Sequence, residues 1–133
     1  MGKSLIQTGN QSNQNVVVNG IINPGTVIHR YGQDLRLSGN AIECLGCGYY
    51  KVACNVSIAP TAAGPVTVAI YKNGVQAPSA IAYGSVSTAG NPTTLPLQTT
   101  VRNCGPCDNN VLTIVLLEGP GVVQNVSLGV EKS

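Results

Sequence analysis

Tryptophan and phenylalanine are absent from this chain, and only 9% of its 133 residues carry a charge. Without Trp or Phe there is no platform for stacking nucleic-acid bases, and little for a sugar ring. The seven Lys and Arg are scattered from Lys3 to Lys132 and, against five acids, leave a net charge of +2. Such a distribution makes no basic patch for phosphates, so nucleic acid is not an expected partner. Long hydrophobic runs are missing too. Nothing approaches the roughly 18 apolar residues of a membrane span, and Met1 to Gln7 shows no apolar signal-peptide core. The expectation is synthesis in a cytoplasm and no membrane partner. Globular domains usually carry about 25% charged residues. This surface must therefore be built from Ser, Thr, Asn, Gln and Gly, or be covered by other subunits.

Catalytic constellations are equally scarce. His29 is the only histidine, no Ser has a nucleophile-elbow context, and no Cys lies beside an evident base. The acids Asp34, Glu43, Asp108, Glu118 and Glu131 are too far apart in sequence to name an acid–base pair. Glycine and proline punctuate turns and form no phosphate-cradling loop. The expectation is a protein that is not an enzyme. His29-Arg30-Tyr31 reads as a solvated strand face rather than a ligand contact. Asn55-Val56-Ser57 and Asn125-Val126-Ser127 match glycosylation sequons, but both fall within strands of a chain without a secretion signal and read as chance.

What is present is a repeated period of two. Tyr50, Val52, Cys54, Val56 and Ile58 fall on one face of a strand, with Lys51, Asn55 and Ser57 on the other. Pro60 to Pro65 is a loop, and Val66, Val68 and Ile70 then alternate up to the hairpin signal Asn73-Gly74. Earlier, Val16 to Ile22 reads as a hairpin about Asn19-Gly20, Thr26 to Tyr31 as a short strand, and Leu35 to Ile42 as strand residues broken at Ser38-Gly39-Asn40. Later, Ile81 to Ser87 is a weak strand, and Leu95, Leu97, Thr99 and Val101 alternate around Pro96. Proline cannot donate to a ladder, so that strand belongs at an edge. Val111 to Leu117 is apolar on both faces, as in a strand covered on both sides, and Val126, Leu128 and Val130 mark the last strand. No segment has a helical period. The chain reads as all-β, an antiparallel sandwich or jelly roll of about eight to ten strands. Residues 1–15, with the polar run Asn10 to Asn15, read as an N-terminal arm, and residues 16–133 as the jelly-roll domain.

From Gly48 onward the order of signals resembles the jelly roll shared by tumour-necrosis-factor-like proteins and complement globular heads. The Gly-x-Tyr that opens the family's central strand matches Gly48-Tyr49-Tyr50. The Lys-Asn-Gly hairpin matches Lys72-Asn73-Gly74, and the closing pair of strands matches Val111 to Leu117 and Asn125 to Glu131. The resemblance covers roughly residues 42 to 133. The chain is also similar to small proteins of phages and prophages of gut Firmicutes. This resemblance implies a homotrimer with its termini near one end. The family's Phe- and Trp-lined core and trimer interface have no counterpart here.

Cys44-Leu45-Gly46-Cys47 and Cys104-Gly105-Pro106-Cys107 are two C-x-x-C units. Paired units of this kind supply four thiolates for tetrahedral zinc, although their separation far exceeds the roughly 15 to 20 residues of a zinc ribbon. The topology that the resemblance implies sets the strand starting at Gly48 beside the strand ending at Asn103, which brings both units to one end of the sandwich. Cys44, Cys47, Cys104 and Cys107 are thus a candidate structural zinc site, alternatively two disulfides, alternatively reduced thiols. A thioredoxin-like role is disfavoured because Cys104-Gly105-Pro106-Cys107 opens onto a strand, not onto the helix N-terminus that depresses a reactive thiol's pKa. Cys54 reads as a small core residue.

These observations lead to the expectation of a non-enzymatic phage virion protein, a trimeric capsid decoration or auxiliary protein. It would be made in the bacterial cytoplasm and docked through its N-terminal arm on the major capsid protein or another virion protein. The second expectation is a receptor- or glycan-binding head of a phage fibre or a bacterial surface protein.

Overall fold

Two antiparallel sheets face each other in a computed structural model that describes residues 4–45, 48–103 and 110–132. Its strands are β1 (Ser4–Asn10), β2 (Gln14–Val16), β3 (Ile21–Ile22), β4 (Thr26–Tyr31), β5 (Leu35–Ser38) and β6 (Ala41–Cys44). They continue with β7 (Gly48–Pro60), β8 (Gly64–Lys72), β9 (Val75–Val86), β10 (Thr93–Asn103), β11 (Asn110–Glu118) and β12 (Gly121–Lys132). The first sheet runs β10-β7-β12-β1-β4, with β2 beside β12. The second runs β5-β6-β11-β8-β9, with β3 beside β11. This is the antiparallel jelly-roll sandwich that the alternating pattern predicts.

The period of two becomes the core. In β7, Tyr50, Val52, Cys54, Val56 and Ile58 are all buried, facing Val66, Val68 and Ile70 of β8 and Leu112, Ile114 and Leu116 of β11 across the sandwich. Burying each such aliphatic side chain contributes about 1.5–3 kcal/mol before the entropy of ordering the chain is set against it. Asn73 (φ 54°) and Gly74 (φ 84°) both take left-handed backbone, which a two-residue hairpin between right-twisted strands demands. That turn joins β8 to β9. Strand β10 is an edge of the first sheet, and Pro96 stands opposite Asn55, as its missing N–H requires. On β11 the outward Val115 is buried alongside the inward residues, so the strand is covered on both faces at its centre.

Two expectations are corrected. Asn19-Gly20 does not turn a hairpin: β2 joins β12 in the first sheet and β3 joins β11 in the second. The Gly20 N–H donates to the Val17 carbonyl at 2.9 Å, and Asn19 alone takes a positive φ, 68°. The left-handed preference of Asn serves a turn whose arms cross between sheets, because Val16 and Ile22 enter the core from different sheets. Within the expected arm, residues 1–15, the described part from Ser4 on does not lie outside the domain. Strand β1 is an interior strand of the first sheet, paired with β12 from Ser4↔Lys132 to Asn10↔Val126 and with β4 on its other side. Residues 1–3 lie outside the described part. Hydropathy missed β1 because its buried face is Ser4, Ile6 and Thr8, a single apolar side chain among hydroxyls. Backbone pairing on both sides holds it in place.

Thr8 carries the cost of that arrangement. Its side chain is 0% exposed and its Oγ1 has no hydrogen-bond partner among the described residues. A buried hydroxyl without a partner costs about 1–3 kcal/mol. Thr8→Val, nearly the same shape, is therefore expected to raise stability by about 1 kcal/mol. Urea denaturation checks it, and a midpoint that falls shows a partner for the hydroxyl.

Candidate functional site

Four strand ends frame the two C-x-x-C segments. Cys44, the last residue of β6, stands opposite Asn110, the first of β11. Gly48, the first residue of β7, stands opposite Asn103, the last of β10. The flanks of both segments therefore share one end of the sandwich. Of the four sequence-derived ligands, Cys44 is described, whereas Cys47, Cys104 and Cys107 lie outside the described residues. Cys44 is buried on the inward face of β6, with Leu35 of β5 beside it across the ladder. Burial pushes its thiol up to about 12, against a smaller opposing pull from the Lys72 charge. Cys54 is buried in the core face of β7 as its alternation predicts, and burial pushes its thiol up to about 12 as well.

Asp34, which sequence reasoning left unassigned, organises the same end. Its carbonyl accepts the Leu45 N–H at 2.8 Å, and its own N–H donates to Ser4 Oγ at 3.2 Å. Its carboxylate receives Lys132 Nζ at 2.6 Å. The Lys132 stem passes over Gly48, where an added Cβ would stand 3.0 Å from Lys132 Cε and the backbone φ is +142°. Glycine is favoured at the start of β7 by that backbone conformation, which L side chains rarely adopt, since the flexible Lys132 side chain could give way. No spacing rule links residues 34 and 132, and only the fold brings them together. His29 and Tyr31 lie on β4, an edge strand exposed along its length, while Arg30 Nε donates to the Leu35 carbonyl at 2.9 Å. These three residues form a solvated strand.

The outward faces of the sheets differ in chemistry. On the second sheet Ile21, Val115, Ala69 and Ile81 stand in register across β3, β11, β8 and β9. Val17 and Val18 are exposed near one end of this apolar row, and Tyr83, 73% exposed, lies in the neighbouring row at the other. On the first sheet the corresponding rows are Gln7-Gly129-Ala53-Gln98 and Gly9-Ser127-Asn55-Pro96. They are uncharged, and half of their residues carry amides or hydroxyls.

The Cys54 thiol makes the fold pH-sensitive. Its pKa rises from the ordinary 9.0 to about 12 on folding, so the native state holds a proton that the unfolded chain releases. The corresponding stability is complete below pH 9 and is lost as pH rises towards 12. The slope reaches about 1.4 kcal/mol per pH unit. Between pH 8 and 10.5 the wild type is expected to lose about 2 kcal/mol more than Cys54→Ala. Urea titrations at the two pH values check this, and equal losses refute it.

No protein-family model matches this chain, and no curated protein matches it. Solved structures do. Murine APRIL superposes with a TM-score of 0.75 at 11% identity, covering 99% of this chain and 100% of its own. The globular domain of zebrafish complement 1qA protein gives 0.72 at 9% identity, with 94% of each chain covered. PRD1 vertex protein P5 gives 0.62 at 12% identity, covering 97% of this chain and 96% of its own. Coverage is nearly complete in every case and identity very low, so what is shared is shape: this chain has the jelly-roll fold of tumour-necrosis-factor-like proteins and complement globular heads.

Proposed function

We propose that this chain is a non-enzymatic structural protein of a phage virion, a capsid decoration or auxiliary protein that associates as a homotrimer. The observation that carries this reading is the apolar row on the outward face of the second sheet. Val115 and Ala69 are buried at the centre of the row, and Ile21 at its β3 end is 49% exposed, with exposed Val17 near it and Tyr83 in the neighbouring row. Exposed apolar side chains on a surface otherwise poor in charge suit contact with another protein. The likeness in fold to a phage vertex protein supports the virion setting. Attachment through an N-terminal arm is not part of the proposal, because Ser4–Asn10 is built into the first sheet. The apolar row takes its place as the contact with the major capsid protein or another virion protein.

Light scattering of the purified chain is expected to give three times the 13.6 kDa chain mass; a monomer overturns the trimer. Co-sedimentation with particles lacking the protein is expected for the wild type. For the Ile21→Lys, Ile81→Lys double variant it falls about tenfold or more, with circular dichroism unchanged. Equal sedimentation of both refutes the apolar row as the contact, and no sedimentation of either refutes attachment to the particle.

The reading also gives the C-x-x-C pairs a structural role, as a zinc site or as two disulfides. Either fastening would tie together the strand ends at Cys44, Gly48, Asn103 and Asn110, stabilising the fold by about 2–4 kcal/mol. Cys104→Ser with Cys107→Ser is expected to lower the melting temperature. In the wild type, protection from alkylation is relieved by a chelator if zinc is bound and by a reductant if disulfides are present. An unchanged melting temperature removes the structural role.

A further inference from the structure

We infer that the cleft where β1 parts from β12, under the start of β4, is a binding site for a neutral sugar of a glycan. It stands apart from the assembly proposed above. The ladder opens there for a definite reason. Strand β1 leaves β12 at Asn10↔Val126, and β2 returns to it at Gln14↔Val123. Residues 11–13 therefore span a gap, and the β12 register shifts against β7 between Val123 and Asn125. A shift of this kind re-aims the side chains beside it. The result is a cleft of about 550 Å³, within the size range of small-molecule sites.

Its frame is held by side-chain-to-backbone hydrogen bonds. Asn10 Nδ2 donates to the Asn23 carbonyl at 3.1 Å, and Asn10 Oδ1 accepts the Ser12 N–H at 2.9 Å. Gln14 grips the Asn23 backbone at both N–H and C=O, each at 2.9 Å. Asn23 Oδ1 accepts the Gly25 N–H at 2.8 Å. Gly25 has φ +91°, and an added Cβ there would run into the Gly9 carbonyl oxygen. The approach to β4 is thereby pressed onto β1, and Ile28 lies across Gly9, where a Cβ would meet its Cδ1 at 2.7 Å.

Within this frame several polar groups are left for a ligand. Gln11, Thr26 and Asn125 line the cleft and make no side-chain hydrogen bond among the described residues. Ser127 Oγ accepts from Gln7 Nε2 at 3.0 Å, which leaves its own O–H to donate. No charged side chain lines the cleft. Two amides and two hydroxyls offer both donors and acceptors, the set that matches the mixed donor and acceptor character of sugar hydroxyls. Ile28, 56% exposed, supplies an apolar wall for the C–H face of the ring. An anionic ligand would find no counter-charge, and a wholly apolar one would strand the amides. An aliphatic wall in place of an aromatic one predicts weak binding per chain, strengthened when several copies engage one glycan together.

The test is a ¹H–¹⁵N NMR titration of the full chain with glucose, galactose, mannose and N-acetylglucosamine at millimolar concentration. At least one of these is expected to shift resonances of residues 9–12, 25–28 and 125–127. Gln11→Ala and Asn125→Ala are each expected to weaken that binding about three- to tenfold, with the melting temperature unchanged. Tyr83→Ala, on the opposite face of the sandwich, is expected to leave it intact. Shifts confined to other residues, affinity unaltered by the two cleft variants, or no shift with any of the four sugars each overturn the inference.

Discussion

Strand β7 is paired along nearly its whole length on both sides, by β10 and by β12, and the rest of the sandwich depends on that double ladder. Without Trp or Phe, the core is filled by Val, Ile, Leu and Ala, with Tyr50 as its one fully buried aromatic ring. Such a core gains little from any single large side chain. Its cohesion comes from many modest contacts, each of which requires the two sheets to stay in register and close together. The uninterrupted row from Tyr50 to Ile58 supplies that register. It aligns β8 and β11 opposite, and it leaves the strand ends at Gly48 and Asn103 side by side.

Uncharged polar chemistry then shapes the exterior. With few ion pairs to spend, the chain uses Asn and Gln side chains to bind its own backbone, as at Asn10, Gln14 and Asn23. The most enclosed of its ion pairs among the described residues, Lys132–Asp34, sits where β12 ends against the connection from β4 to β5. A pair in that position joins the last strand to the first half of the chain at one end of the sandwich. The two outward faces differ, with an apolar row on one and, on the other, rows of amides and hydroxyls beside the charged pair Glu131 and Lys51. That division is the physical basis for assigning protein contact to the second sheet and ligand contact to the first.

Sequence reading succeeded where a strand has one strongly apolar face. Strands β7, β8, β11 and the end of β12 were legible from their alternation, and Pro96 announced an edge. It failed at β1, where Ser4 and Thr8 flank the lone inward Ile6, and at Asn19-Gly20, where a turn signal served a crossing between sheets. The candidate cysteines were conspicuous in the sequence, but that the described flanks of the two units, Cys44, Gly48, Asn103 and Asn110, share one end of the sandwich is not a matter of spacing; it follows from the ladders that pair β6 with β11 and β7 with β10. Asp34 and Lys132 carried no signal at all.

The sequence by itself determined the class and most of the core, because the period of two and the turn residues are local and each strand declares its buried face. It also determined the poverty of charge, and with it the neutral surface. The tertiary structure alone decided which strands are neighbours, that Ser4–Asn10 belongs inside a sheet, and that Gln11, Thr26, Ile28, Asn125 and Ser127 surround one cleft. Those outcomes depend on pairings across more than a hundred residues, such as Asn10 with Val126. No local pattern encodes them, since backbone hydrogen bonds form with equal readiness wherever the packed core brings two strands together.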